Sequence, residues 1–156
     1  MFRELTLEVS KYLSFDPTGK IEDTYAYIKN SQADIKNGTN FPVVVINKIT
    51  KEFIGCSGIH KISSGSPELG IWIKKSAHGQ GYGKEIIGGL VHWAEENLEY
   101  EYIYYPVARA NIASKKVAES VGGILYKEEI HTWPSGKILD ELIYRIKNSR
   151  KSDEPK

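Results

Sequence analysis

The densest chemistry in the chain lies between Ile71 and Glu85, in the run Ile71-Trp72-Ile73-Lys74-Lys75-Ser76-Ala77-His78-Gly79-Gln80-Gly81-Tyr82-Gly83-Lys84-Glu85. An apolar strand, a short glycine-rich loop and then a helix present unpaired backbone N–H groups, and a positive helix end, to a phosphate. Gly79, Gly81 and Gly83 would let the backbone approach such a ligand with no side chain in the way. Lys84 falls in the first helical turn, where a cation is disfavoured unless an anion sits beside it. Two common phosphate patterns fail here. A P-loop would need glycine where His78 stands and Ser or Thr where Glu85 stands. A dinucleotide fingerprint would need its last glycine at Lys84 or Ile86, according to register.

Other reactive side chains are scattered. Cys56 is the lone cysteine, and inside Phe53-Ile54-Gly55-Cys56 it reads as a small buried hydrophobe rather than a nucleophile. His60, His78, His92 and His131 lack ligand spacing along the chain, so no metal site is expected. His60 and His131 either face a cleft or are structural. The aromatic run Tyr100, Tyr102, Tyr104 and Tyr105 alternates as a strand does, which argues against a platform for stacking nucleic-acid bases.

These residues need elements to hold them. Met1 to Leu13 reads as a short helix running into the turn Asp16-Pro17-Thr18-Gly19. Ile21, Tyr25, Ile28 and Ile35 have helical spacing, and Gly38 is placed to stop that helix. Val43–Ile46 and Phe53–Ile59 read as an antiparallel strand pair, followed by a strand over Leu69–Ile73. Ile86, Ile87, Leu90, Val91, Ala94 and Leu98 form the apolar stripe of a helix after the glycine turn. A strand over Tyr102–Val107, a helix over Asn111–Val121 closed by Gly122-Gly123, and strands over Ile124–Ile130 and Ile138–Ile146 complete the order. That order predicts an α/β (α+β) domain with a central mixed, mostly antiparallel twisted sheet and helices on both faces.

The length of 156 residues suits a single domain, read here as residues 1–147 with a polar, frayed tail over 148–156. A formal net charge of +1 offers no field to gather nucleic acid or an anionic membrane, so neither is expected as a partner. No signal peptide or membrane-length apolar segment is read, which leads to a cytoplasmic expectation.

The hexapeptide His78–Gly83 resembles the pyrophosphate loop of the GNAT N-acetyltransferase superfamily, written Gln/Arg-x-x-Gly-x-Gly/Ala, with His78 in place of the first Gln or Arg. The resemblance covers most of the chain. Glu68-Leu69-Gly70-Ile71-Trp72-Ile73 is similar to the strand before that loop in the branch that acetylates ribosomal-protein amino termini. Asn111-Ile112-Ala113-Ser114 is similar to that branch's Asn-x-Ala-Ser element, whose helix ends in Gly-Phe where this chain has Gly122-Gly123. Lys11 to Pro17 is similar to its first helix and loop. The family usually opens with a strand before that helix. Here Met1 to Thr6 either replaces that strand or the sheet lacks it.

The resemblance implies an acetyltransferase in which a primary amine attacks acetyl-CoA directly. The acceptor would be a small-molecule amine or a peptide N-terminus. It implies cosubstrate contacts from Ile71, Trp72 and Ile73, from His78 through Lys84, and from Asn111 and Ser114. Main-chain amides of the strand would hold the pantetheine arm and the developing oxyanion. Glu68 becomes the candidate base, or else a solvated strand-end charge. Many relatives protonate the departing thiolate with a tyrosine where this chain has Ala118. Ser114 is the implied substitute, or else only a helix cap beside Asn111. Trp72 packs by the cosubstrate or in the core. A GNAT-like module that binds acyl-CoA as a sensor is the alternative, and the subunit is a monomer or a homodimer.

Overall fold

The computed structural model describes residues 1–151. Phe2–Glu4 forms a single 3-10 turn and Leu7–Ser10 a one-turn helix, α1, capped by the Thr6 side chain, which accepts from the Val9 N–H. No strand precedes them, so among the described residues the sheet lacks the family's opening strand. The remaining elements are α2 (Ile21–Asn37), β1 (Phe41–Ile46), β2 (Phe53–His60), β3 (Glu68–Ile73), α3 (Tyr82–Asn97), β4 (Tyr102–Ala108), α4 (Ile112–Ser120), β5 (Ile124–Thr132) and β6 (Ile138–Lys147). The opening helix expected over Met1 to Leu13 shrinks to that 3-10 turn and the one-turn α1, and every other expected element is present with ends moved by a residue or two.

The six strands lie in the order β1-β2-β3-β4-β6-β5. Every neighbouring pair is antiparallel except β3 with β4, because α3 carries the chain back between those two strands. The sheet is therefore mixed and mostly antiparallel, as expected. Its two faces follow from the period of two along each strand. Ile59, Leu69, Ile103, Tyr105, Val107, Leu142, Tyr144 and Ile146 point to one face and form the core with Ile87, Leu90 and Ala94 of α3 and Ala118 of α4. Phe41 stacks on Trp93 of α3 at 3.9 Å. Gly83 keeps α3 and α4 close, since a Cβ there would lie 3.1 Å from a Val117 methyl.

The other face is covered by α2 and the opening segment. Tyr27 of α2 lies near Cys56. Gly38 ends α2 in the left-handed region at φ +68°. Contrary to its apolar periodicity, α2 has no buried residue; Tyr25 is 64% exposed. The reason is position, since the helix meets the sheet mainly at the edge strand β1.

The chain's end also differs from expectation. Asn148 is 3% exposed; its N–H donates to Glu101 O and its side chain to Tyr100 O, while Ser149 and Arg150 bond Glu95 and Glu96 of α3. Residues 148–151 are thus docked rather than frayed, and 152–156 lie outside the described residues. No helix of the described residues is long and apolar enough to cross a membrane.

Candidate functional site

β3 and β4 pair at a single position, Glu68 with Tyr104, fixed further by the Tyr104 N–H bonding Pro67 O at 2.8 Å. Beyond that point the two strands diverge, and a seam opens in the middle of the sheet. The direction of the β3 amides follows from its other partner. Lys74 N–H bonds Ile54 O at 2.9 Å, and alternate residues of an antiparallel ladder make such bonds. Trp72 and Gly70 therefore spend their amides on β2, whereas Ile71 and Ile73 turn theirs into the seam. Of the three β3 residues expected at the cosubstrate, two offer a free donor and Trp72 does not. Its ring instead leans on Phe53, with centroids 5.6 Å apart.

The glycine loop follows directly. Lys75–Ala77 form a 3-10 turn, and His78 folds back so that its Nε2 lies 2.8 Å from Ile73 O. Gly79 and Gly81 take φ +75° and +82°, values that disfavour any side chain, and a Cβ at either would meet open space. Gly81 is the N-cap of α3 and contributes no side-chain bond. Among the described residues no amide from Gly79 to Lys84 donates to a protein acceptor, so this strip of N–H groups is free at the positive end of a helix. Gln80 bonds Ser76 O at 3.1 Å, the Tyr82 hydroxyl accepts from Asn47 at 3.3 Å, and Lys84 stands exposed. These donors suit a diphosphate.

A cavity of about 610 Å³ occupies the seam and runs through it to the α2 side. On the α4 side it meets Ile71, Tyr105, Asn111 and Ser114; on the α2 side it meets His60, Glu68, Trp72 and Glu141. Asn111 caps α4 by accepting from the Ser114 N–H at 3.2 Å. Ser114's own hydroxyl makes no cap and lies beside the buried Tyr105 hydroxyl. Burial pushes the Tyr105 hydroxyl up to about 12, Ser114 opposes this, and the hydroxyl reaches no partner at hydrogen-bond geometry. Ala118, in the place of many relatives' tyrosine, is fully buried and outside the cavity.

Glu68 stands at the closed end of the seam with Lys61 Nζ on its Oε1 at 2.7 Å. His60, in register with Glu68 on β2, faces the cavity against Gly70, and burial lowers its pKa. Burial pushes the Cys56 thiol up to about 11, which keeps it protonated at neutral pH. The opening segment roofs the α2 side, where Lys137 donates to Asp16 at 2.8 Å and Ser135 to Ser14 O at 2.6 Å.

One cluster on this side is invisible along the chain. The β5–β6 register sets Glu129 opposite Glu141 with His131 two residues on, and a side-chain oxygen or ring nitrogen from each of the three lies within 4.8 Å of the others. Spacing along the chain could not reveal them, because the pairing depends on the register of a hairpin.

No curated protein matches the chain by sequence. Solved structures match the fold. A microcin self-immunity acetyltransferase (MccE) in complex with acetyl-CoA and AMP has a TM-score of 0.82 at 17% identity, over 94% of this chain and 82% of that one. A ribosomal-protein alpha-N-acetyltransferase (RimL) in complex with coenzyme A has a TM-score of 0.82 at 16% identity, over 95% and 85%. Spermidine N-acetyltransferase from Vibrio cholerae, in complex with CoA and spermine, has a TM-score of 0.78 at 19% identity, over 94% and 86%. By sequence, residues 4–124 match the acetyltransferase (GNAT) domain family, which takes in the seam, the glycine loop and the Asn111 cap, and the chain belongs to that family.

Proposed function

We infer that the chain transfers the acetyl group of acetyl-CoA to a primary amine. The observation that carries this is the continuous run of free main-chain donors, from Ile71 and Ile73 in the seam to Gly79–Lys84 at the start of α3. The two groups of donors are joined by the bond from His78 to Ile73 O. Acetyl-CoA supplies an activated acyl thioester. The amides of Gly79 to Lys84 hold its diphosphate, Lys84 adds a cation, and the Asn111 side chain faces the pantetheine arm. The Ile71 amide receives the charge that develops on the carbonyl oxygen, a role worth about 3 kcal/mol where such a donor has been removed. Ser114, whose hydroxyl lies beside that of Tyr105, gives a proton to the departing thiolate and is reprotonated from solvent.

The acceptor enters from the α2 side and meets Glu68. The family resemblance made Glu68 the candidate base, with a solvated strand-end charge as the alternative. The Lys61 ammonium already bonded to it suits a carboxylate that guides an incoming cation by exchanging partners. The named neighbours act on a polyamine and on a protein amino terminus, and both acceptor types suit an opening that contains Glu68.

Thermal melting with acetyl-CoA, coenzyme A and ATP tests the donor site, since saturation near 100 times Kd adds about 2.7 kcal/mol. Thiol release across a panel of amines and amino-terminal peptides then tests transfer. Gly81→Ala, which forces an unfavourable φ on the loop, should remove most of the acetyl-CoA shift. The buried Ala118 favours the second reading, an acyl-CoA sensor, which predicts the melting shift with no thiol release on any amine.

A further inference from the structure

Glu141 has no part in the scheme above, yet its side chain is at the best-placed junction in the molecule. It lines the seam cavity and also a second cavity of about 210 Å³, which runs between β3 and the β5–β6 hairpin. The registers Glu68 with Tyr104, Ala108 with Glu141 and Glu129 with Glu141 put all three carboxylates on the α2 face of the sheet. Glu141 is 5% exposed, and among the described residues no lysine or arginine forms an ion pair with it. The neighbouring carboxylates are each committed, Glu68 to Lys61 and Glu129 to Lys127, both at 2.7 Å.

We propose that Glu141 takes a proton from the acceptor's ammonium group and passes it by way of His131 into the second cavity and solvent. The proposal rests on the acetyl-transfer reading of the seam. An N–H bond of the ammonium breaks, its proton binds a Glu141 carboxylate oxygen, and the electron pair stays on nitrogen. That pair forms the N–C bond to the thioester carbonyl as the C–S bond breaks. Ser114 protonates the thiolate, the second proton lost as the amide forms replaces it by way of solvent, and the sum is one amide, one thiol and one proton released.

Among the carboxylates of the seam, Glu141 is the one suited to this step. Glu68 already holds the Lys61 ammonium on its Oε1, so that oxygen is occupied when the acceptor arrives. Burial pushes the Glu141 carboxyl up; His131 opposes this, Glu129 across the ladder adds to it, the Trp133 indole opposes it and Glu68 adds to it. The Trp133 Nε1 is buried and near Glu141 without reaching hydrogen-bond geometry. The second cavity also presents the titratable groups Lys61, Tyr104, Tyr126 and Lys127. The seam cavity adds His60, Cys56 and Tyr27 on this face, and Asp16 and Asp23 of the segment that covers it. A buried carboxyl raised in this way retains a proton better than an exposed one and still reaches solvent through the second cavity.

The test compares ethylamine, an ammonium ion at pH 7, with 2,2,2-trifluoroethylamine, which is neutral there. Glu141→Gln should lower kcat/KM on ethylamine by about 100-fold or more, with a much smaller loss on the fluorinated amine, and Glu141→Asp should restore part of it. Equal losses on the two amines would mean that Glu141 only shapes the cavity, and would overturn the proposal. Glu129→Gln gives a second measurement if Glu141→Gln fails to fold. Removing that like charge should move the acid limb of the kcat/KM profile to lower pH, and an unmoved limb would also overturn the proposal. Wild-type protein inactive on both amines and the rest of the panel would instead sink the acetyl-transfer reading itself.

Discussion

His78 Nε2 lies 2.8 Å from the carbonyl oxygen of Ile73, so the loop that cradles a diphosphate is bonded to the strand that would hold the thioester. The carbonyl belongs to the seam side of β3, the side that β4 abandons after Glu68. His78 therefore acts as a brace from within the protein, at a position where relatives carry Gln or Arg.

His78→Ala should cost the fold less than about 1 kcal/mol, since the bond is exposed, while weakening acetyl-CoA binding by up to about tenfold. Isothermal titration beside thermal melting measures both. Equal affinity for wild type and variant would reduce the brace to a surface contact.

Ser114→Ala and Tyr105→Phe separate two roles on the α4 side. Ser114→Ala should cut kcat by about 100-fold and leave melting nearly unchanged, because the helix is capped by Asn111. Tyr105→Phe removes a buried hydroxyl that has no partner, so stability should hold or rise while kcat falls. Full activity in Ser114→Ala would leave protonation of the thiolate to water.

Gly123 stands where relatives have Phe, and its surroundings explain the difference. Its N–H bonds Ala118 O at 2.9 Å, and a Cβ there would lie 2.6 Å from that same oxygen. Restoring the family's residue with Gly123→Phe should therefore destabilise by about 2 kcal/mol or more, read as a fall in the chemical-denaturation midpoint. A neutral result would mean that the end of α4 shifts freely.

Stability should respond to pH through Glu141. Its folded pKa is raised, so the native state holds the proton more tightly than the unfolded chain does in the window between the two values. Stability from this group is complete below the unfolded pKa and declines as pH climbs through the folded one. Glu141→Gln, which cannot ionise, should melt higher than wild type at pH 7 and nearly level with it at pH 4. The reverse order would show that the carboxylate is better solvated than its burial implies.

Much of this was legible in the residues. The glycine loop, the α3 stripe of Ile87, Leu90 and Ala94, and the Asn111 cap are written in local spacing, so they could be read. The seam could not, because main-chain donors such as Ile71 leave no mark on residue type. Glu141 and His131 were hidden for a second reason: they meet through the register of β5 with β6, which no local pattern encodes. The apolar spacing of α2 placed the helix, but an amphipathic period says which residues share a face and not whether anything covers it. Asn148 misled on burial, a polar residue buried because Glu101 and Tyr100 offer carbonyls.

The single bridge between Glu68 and Tyr104 has a consequence for how the molecule breathes. Sheets are ordinarily driest and slowest to exchange their hydrogens at the middle. Here the interior strands β3 and β4 border water, so deuterium should reach the Ile71 and Ile73 amides sooner than Trp72 between them. Two leaves that share so little ladder have limited means of melting together. A ligand bonded to both sides of the gap would complete the missing lattice and unite them as one cooperative unit.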